Sequence, residues 1–254
     1  MEISLLITTF NRPDGLDLVL RTVANQSRIP DEIIVCDDGS SWTTAVIVER
    51  WLDRLPIQHA WHPDRGFRAA RARNLGLAKS DAEYVIWIDG DCLLPPQFVE
   101  NHVGLAKKGF LVAGGRHMLS TTETDSLLNA TKSIDSAFAH WKFRSLSLGP
   151  LRDICPDRWD LVRTCNLGLY REDIVAVGGF DESYMGWGRE DSDFVVRLMH
   201  LGIKARSARL SACVAHLFHS ECSRSQFSKN DDLFQKCLQD PSLIRPKSSV
   251  IFQP

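Results

Sequence analysis

The run Tyr84-Val85-Ile86-Trp87-Ile88 is apolar throughout and stops at Asp89-Gly90-Asp91. A short apolar run without polar alternation reads as a strand covered on both faces, which requires helices above and below its sheet. The preceding sequence supplies that material in alternation. Residues 3–7 and 32–36 read as buried strands and 57–61 as a short one. Residues 14–26, 43–55 and 69–78 carry helical spacing, with Leu16, Val19, Leu20 and Val23 marking the first helix. Strands alternating with helices form right-handed crossover units on a mostly parallel sheet, so the fold class is α/β.

Parallel strands put their carboxyl ends along one edge, where ligands bind in open sheets. Polar clusters follow three of the strands, at residues 8–12, 37–41 and 89–91. Two carboxylates one glycine apart repel each other, and a divalent cation relieves the repulsion. Asp-Gly is equally a common turn dipeptide, and the segment alone leaves both readings open. Neither a Gly-rich dinucleotide fingerprint nor a P-loop follows the first strand, which argues against a nicotinamide dehydrogenase or an NTPase.

The formal net charge of −2 gives no electrostatic footprint for nucleic acid or an anionic membrane. No apolar run reaches transmembrane length, and no signal peptide is recognisable. The seven cysteines, at 36, 92, 155, 165, 213, 222 and 237, contain no CxxC pair and read as core residues of a chain in a reducing cytosol.

Further along, 112–116 reads as another strand, 127–144 as helical, 145–160 as a loop and 231–238 as a helix before an extended arm. Within 65–74, Arg68 and Arg71 at a helix start suit an anion, because the dipole and open N–H groups add to the guanidinium charge. Arg73 reads instead as part of a solvated basic helix face. Gly186-Trp187-Gly188-Arg189 runs into Glu190, Asp191 and Asp193, three acids within four residues. A helix starting near Glu190 holds carboxylates ionised at its N-terminus, while Phe194, Val195, Leu198 and Met199 put its far side in the core. Glu190 and Asp191 are therefore candidates for general base and hydroxyl orientation; for Asp193 a plain acidic first turn serves as well. His216 and His219 end an apolar run, and imidazole with carboxylate suits Mn²⁺ better than Ca²⁺.

In combination, Thr8-Thr9-Phe10-Asn11-Arg12, Asp37-Asp38-Gly39-Ser40, Arg73-Asn74 with Gly76, and the Asp-x-Asp at 89–91 resemble the inverting nucleotide-sugar glycosyltransferases of family two. Gly178-Gly179-Phe180-Asp181-Glu182 and Trp187-Gly188-Arg189-Glu190-Asp191 are similar to the C-terminal module of β-1,4-galactosyltransferases and of chondroitin-polymerase-type N-acetylgalactosaminyltransferases. The resemblance spans residues 3–220 and is specific through the order and spacing of its motifs.

What the resemblance implies is a single-domain, Rossmann-like GT-A fold over 1–222, with a nucleotide-binding half at 1–115 and an acceptor and catalytic half at 116–222. A helix and tail follow at 223–254. It implies donor contacts from Thr8, Phe10, Arg12, Asp38 (on the base), Arg68, Arg71, Asn74, Asp89 (on the ribose), Gly90 and Asp91. Mn²⁺, with Mg²⁺ as the second choice, would bind Asp91 and His216, with His219 as the fallback ligand. Asp191 would be the catalytic base, and Glu190, Trp187 and Gly188 would contact donor sugar or acceptor. Arg189 departs from the glycine of the galactosyltransferase pattern, so the acceptor pocket is expected to differ.

The implied activity is inverting, metal-dependent transfer of a hexose or N-acetylhexosamine from a UDP-sugar, galactose or N-acetylgalactosamine being favoured. The acceptor would be a hydroxyl of a saccharide or lipid-linked saccharide, the location the cytoplasm or the cytoplasmic face of a membrane, and nucleic acid no partner. A sugar-nucleotide pyrophosphorylase would want a Gly-rich basic loop that 8–12 lacks. A non-catalytic nucleotide-sugar-binding subunit would not need the acids at 190 and 191.

Overall fold

The four strands β1 (Ile3–Thr9), β2 (Glu32–Asp37), β3 (Ile57–Trp61) and β4 (Tyr84–Asp89) lie parallel in the order β3-β2-β1-β4. The computed structural model describes residues 1–141, 158–220, 223–246 and 248–249. Helices α1 (Pro13–Ala24), α2 (Trp42–Trp51) and α3 (Ala69–Ala78) make the crossovers, as the alternation of the sequence requires. Register aligns Thr9 with Asp37 and Thr8 with Asp89, so the three strand-end clusters share one edge.

Both faces of this sheet are covered. Leu5, Ile7, Val35, Ile86 and Ile88 join Leu16 and Val19 of α1 and Val48 of α2 on one side. On the other, Leu6, Ile34, Val85 and Trp87 meet Ala70 and Leu77 of α3 and Phe194, Val195 and Leu198 of α7 (Glu190–His200). Trp87 stands edge-on to Phe180 and Phe194 at 5.5 and 5.7 Å. Burying each such large apolar side chain contributes about 1.5–3 kcal/mol. The side chains that alternate along β1 and β4 thus explain why neither strand tolerates charge before its last residue.

Beyond β4 the order continues as β8 (Asn166–Tyr170), β6 (Phe110–Ala113) and β9 (Lys204–Ser207), with β8 antiparallel to both neighbours. Helices α4 (Phe98–Leu105), α5 (Thr121–Leu128) and α6 (Arg171–Ala176) link these strands. A second sheet of three short strands sets β10 (Cys213–His216) between β5 (Cys92–Leu93) and β7 (Gly115–Met118). It pairs His216 with Cys92, one residue past Asp91.

The strand expected at 112–116 is two strands. Gly114 breaks it because the buried Asn166 amide presses on that backbone, where a Cβ would lie 2.1 Å from it. Asn166 is satisfied there by His102 Nε2–H on Oδ1 (2.9 Å) and by the Gly115 and Ala212 carbonyls (2.8 Å each) on Nδ2. The helix expected at 127–144 is displaced as well. A capping box between Ser120 and Glu123 starts α5 early, and Ala130 at φ 54° ends the segment before a 3-10 turn at Ile134–Trp141. Residues 142–144 and most of the loop expected at 145–160 lie outside the described residues. Helix α8 (Phe227–Gln239) begins earlier than expected and packs Phe234 and Cys237 against Tyr184 and Val196 of the α7 region. No helix among the described residues is long and apolar enough to cross a membrane.

Candidate active site

At the strand-end edge the two acids of β2's exit have separate jobs. Asp37 Oδ1 accepts from the Gly39 and Ser40 amides at 3.2 and 2.7 Å, and Oδ2 lies 2.9 Å from His59 Nε2. Burial alone would raise the Asp37 pKa, but the hydrogen bonds from His59 and Ser40 outweigh it and hold the carboxyl below its usual range. It is the turn former. Asp38 is only 3% exposed; Oδ2 takes the Arg68 amide at 2.7 Å and Oδ1 faces His62 Nε2 at 3.1 Å. Burial pushes its pKa up to about 6, against the Arg68 amide and the His62 charge. Asp38 thereby fixes the start of α3, which carries Arg68 and Arg71.

Around it, Thr8 keeps a buried hydroxyl with no protein partner, and Phe10 is exposed. Gly90 donates to the Thr8 carbonyl at 2.7 Å. A Cβ at Gly90 would stand 2.9 Å from Thr9 Oγ1, so the Asp-x-Asp turn needs glycine to approach β1 this closely.

Asp91 is the centre of the cationic end of the site. Arg12 Nη1 lies 3.0 Å from Asp91 Oδ2, while Nη2 donates to the Phe218 carbonyl at 2.6 Å. His216 Nε2 stands 3.4 Å from Asp91 Oδ1 and His219 Nε2 3.5 Å from Oδ2. Both histidines place Nδ1 against a backbone carbonyl, of Leu217 at 2.9 Å and of Ser220 at 2.8 Å. A ring nitrogen beside a carbonyl carries the proton, and this partner assigns both tautomers. Each Nε2 faces a carboxylate oxygen of Asp91, so imidazole and carboxylate donors of the kind a divalent cation takes converge there.

Donor atoms of Asp89, Asp91, Cys92 and His216 all lie within 4.8 Å of one another. Cys92 is a poor ligand, because burial first, then contact with Cys165, pushes its thiol pKa well up. The oxygen and imidazole donors that remain fit a divalent ion such as Mn²⁺.

The second acidic pair opens α7. Glu190 is 8% exposed; Oε1 accepts from Arg73 Nη1 at 3.2 Å and Oε2 has no partner. Burial, then the charge of Asp191, raises its pKa, and Arg73 opposes both. Asp191 is half-buried, with Oδ1 held by the Ser192 amide at 2.8 Å. Asp193 is structural: it pairs with Arg197 at 2.8 Å and accepts from the Tyr184 hydroxyl at 3.2 Å.

Arg73 corrects the sequence reading. It is 5% exposed rather than solvated, and its Nη2 also lies 3.8 Å from Asp89 Oδ1. One guanidinium therefore joins the strand-end acids to the helix-start acids. The signal was present in the helical period: Arg73 follows Ala70 by three and precedes Leu77 by four, both buried. Asn74 and Arg71 face protein too. The Asn74 amide exchanges hydrogen bonds of 2.9 Å with the Phe180 backbone and also donates to Glu182 Oε1, while Arg71 Nη1 donates to Glu182 Oε2 at 3.0 Å. These contacts interlock α3 with the 178–182 segment, and Trp187 and Gly188 stand in the loop just before Glu190.

Comparisons with known proteins identify the family. A model described as glycosyl transferase family 2 matches residues 4–177, and one described as the N-terminal domain of galactosyltransferase matches 154–220. A validoxylamine A glucosyltransferase of Streptomyces hygroscopicus subsp. limoneus is 31% identical over 95% of this chain and 57% of its own length. A chondroitin synthase of Escherichia coli is 29% identical over 81% of this chain and 33% of its own. The chain thus spans less than two thirds of the length of these relatives. Among solved structures, S. aureus TarS 1–349 in complex with UDP superposes with a TM-score of 0.66 at 16% identity, covering 93% of this chain and 65% of that one. The mannosyltransferase PcManGT from Pyrobaculum calidifontis, in complex with GDP-Man and Mn²⁺, gives 0.63 at 18%, covering 94% and 64%. With more than half of its residues inside the family model, the chain belongs to glycosyl transferase family 2.

Proposed function

We propose that the protein transfers a hexosyl or N-acetylhexosaminyl group from a UDP-sugar to a saccharide hydroxyl, with inversion at the anomeric carbon. The observation that carries this reading is the arrangement of Asp91 between His216 and His219, joined through Asp89 and Arg73 to Glu190 and Asp191. In it, Thr8, Phe10, Arg12, Arg68, Asp89 and Gly90 line the donor side. Asp38, Arg71 and Asn74 support that side from behind. Asp91 and His216 would hold the ion, Mn²⁺ before Mg²⁺, with His219 as the fallback ligand. Bound there, it would offset the charge of the departing diphosphate.

Asp191 takes the proton of the acceptor hydroxyl, because it is the more exposed acid and has one oxygen fixed by the helix start. Glu190, buried and paired with Arg73, orients rather than abstracts. Trp187 and Gly188 border the acceptor. The match over 154–220 supports galactose or N-acetylgalactosamine as the sugar, whereas the 31% identical relative is named a glucosyltransferase. An acceptor in a growing polysaccharide or on a lipid carrier, met at the cytoplasmic side of a membrane, completes the reading.

The test is hydrolysis of UDP-galactose, UDP-N-acetylgalactosamine, UDP-glucose and UDP-N-acetylglucosamine with Mn²⁺, since slow hydrolysis reports the donor before the acceptor is known. Asp191→Asn should lower turnover by about 10²–10⁴-fold with UDP affinity retained, and Asp91→Ala should abolish the Mn²⁺ dependence of UDP binding. Metal-dependent UDP affinity that survives in Asp91→Ala refutes the metal assignment. No hydrolysis of any nucleotide sugar by the wild type would favour a non-catalytic binding subunit.

A further inference from the structure

Helix α8 lies beyond both family matches, which end at 177 and 220, yet it is built onto the loop that leads to Glu190 and Asp191. One residue of that loop, Arg189, is strained. Gly186, Gly188 and Arg189 all take left-handed backbone, at φ 79°, 105° and 77°, and a bulky side chain in that region is uncommon. Such a conformation persists when its surroundings over-determine it.

The surroundings come from α8. Asn230, 1% exposed, donates through Nδ2 to the Met185 carbonyl at 3.1 Å and to the Gly188 carbonyl at 3.0 Å. Asp231 Oδ1 accepts from Arg189 Nε and lies equally close to Nη2, at 2.7 Å each. The Arg189 guanidinium also sits 4.8 Å from the ring of Phe234 and 5.3 Å from that of Phe227. Trp187 stacks obliquely on Phe227 at 5.9 Å. The approach is close enough that a Cβ on Gly186 would meet Gln226 at 2.8 Å. On its opposite side the loop is tied to the start of α3 by the Gly186 amide, which donates to the Phe67 carbonyl at 3.0 Å.

We propose that α8 is the frame of the acceptor loop, and that Asn230 and Asp231 are positioning residues for the catalytic pair. Asn230 sets the loop's shape through two carbonyls, and Asp231 clamps Arg189, the residue directly before Glu190. Arginine at the position where the galactosyltransferase pattern has glycine is then a handle by which a segment outside the family core fixes where Glu190 and Asp191 stand. The cation–aromatic contacts and the ion pair offset the backbone strain of that handle.

This inference rests on the catalytic reading of the preceding subsection, and its test separates the two. In amide hydrogen exchange on the full chain, Asn230→Ala should raise exchange at 185–191 by about tenfold or more while leaving β1, β2 and β4 unchanged. Exchange that is unchanged at 185–191, or raised throughout the sheet, overturns the frame. In UDP-sugar hydrolysis, Asp231→Ala should lower kcat by about 10–100-fold with donor KM held within about twofold. In an Arg189→Gly background, where the handle is gone, the same substitution should change kcat by less than about twofold. Equal effects in both backgrounds, or a donor KM that moves with kcat, overturn the clamp. A wild type that hydrolyses no UDP-sugar sinks the catalytic reading instead, and the exchange result still decides the frame.

Discussion

Replacing Arg73 by methionine should weaken the protein at neutral and alkaline pH far more than at acid pH. Arg73 is buried, and its side chain touches two carboxylates, Glu190 Oε1 at 3.2 Å and Asp89 Oδ1 at 3.8 Å. Methionine fills a similar volume without charge. Glu190, 8% exposed, would then lose its counter-charge, with Asp191 beside it in sequence. Removing one member of a buried pair costs about 3–5 kcal/mol, because the other charge stays behind.

The pH dependence follows from Glu190. Its folded pKa is already raised above the ordinary 4.5 by burial and then by Asp191, with Arg73 opposing. Between 4.5 and that raised value the folded state binds more protons than the unfolded one, so stability falls as pH rises through this window. Loss of Arg73 carries the upper edge of the window higher. A protonated Glu190 is tolerated without a cation; an ionised one is not. Urea unfolding midpoints of wild type and Arg73→Met, compared at pH 5.5 and pH 8, measure the difference. The deficit should shrink by about 1 kcal/mol or more at the lower pH, the worth of roughly one pKa unit. A deficit that is the same at both values, or larger in acid, would refute the account of Arg73 as the counter-charge of Glu190.

The Arg12 guanidinium occupies the side of Asp91 that His219 also faces, and an ion taking that ground must break a partly exposed pair worth about 1 kcal/mol. Arg12→Met should therefore tighten Mn²⁺ binding in the absence of nucleotide by about 3–10-fold, read by titration calorimetry; weaker Mn²⁺ binding would count against it. Gly114→Ala drives a methyl into the Asn166 amide, 2.1 Å away, and should cost about 3 kcal/mol or more through overpacking and lost buried hydrogen bonds. An unchanged thermal midpoint would show that the amide can retreat.

The elements that the sequence discloses are those whose instructions are local. The strands β1, β2 and β4 declare themselves because burial on both faces forbids charge through their interiors and leaves it only at their ends. Helix α7 is legible from the spacing of Phe194, Val195 and Leu198. The start of α5 was equally legible, since Ser120 and Glu123 have the spacing of a capping box. The break at Gly114 is another matter: its cause is Asn166, which sits in a different strand and satisfies groups from helix α4, from β7 and from the residue before β10.

The site divides along the same line. Which segments take part can be read from the chain, because polar clusters following parallel strands fall on one edge of the sheet. Which of their side chains face a ligand cannot, because that depends on partners remote in sequence. Asp38, Arg71 and Asn74 sit in the motifs that mark a donor pocket, and each also ties distant segments together: Asp38 takes the Arg68 amide, Arg71 reaches Glu182, and Asn74 bonds Phe180 and Glu182. Arg73, in the same stretch, does the same, because one helical turn separates it from Ala70 and places it between two acids 101 residues apart in number (89 and 190). A two-residue strand, β5, too short to leave any periodic trace, brings His216 to Asp91. Sequence motifs here identify the segments that must meet, and tertiary pairing decides which side chain of each segment does the chemistry. For that reason substitutions at Arg73 and Asn230, one inside a recognised motif and one on a helix beyond both family models, are the sharper tests of how the proposed catalytic pair is held.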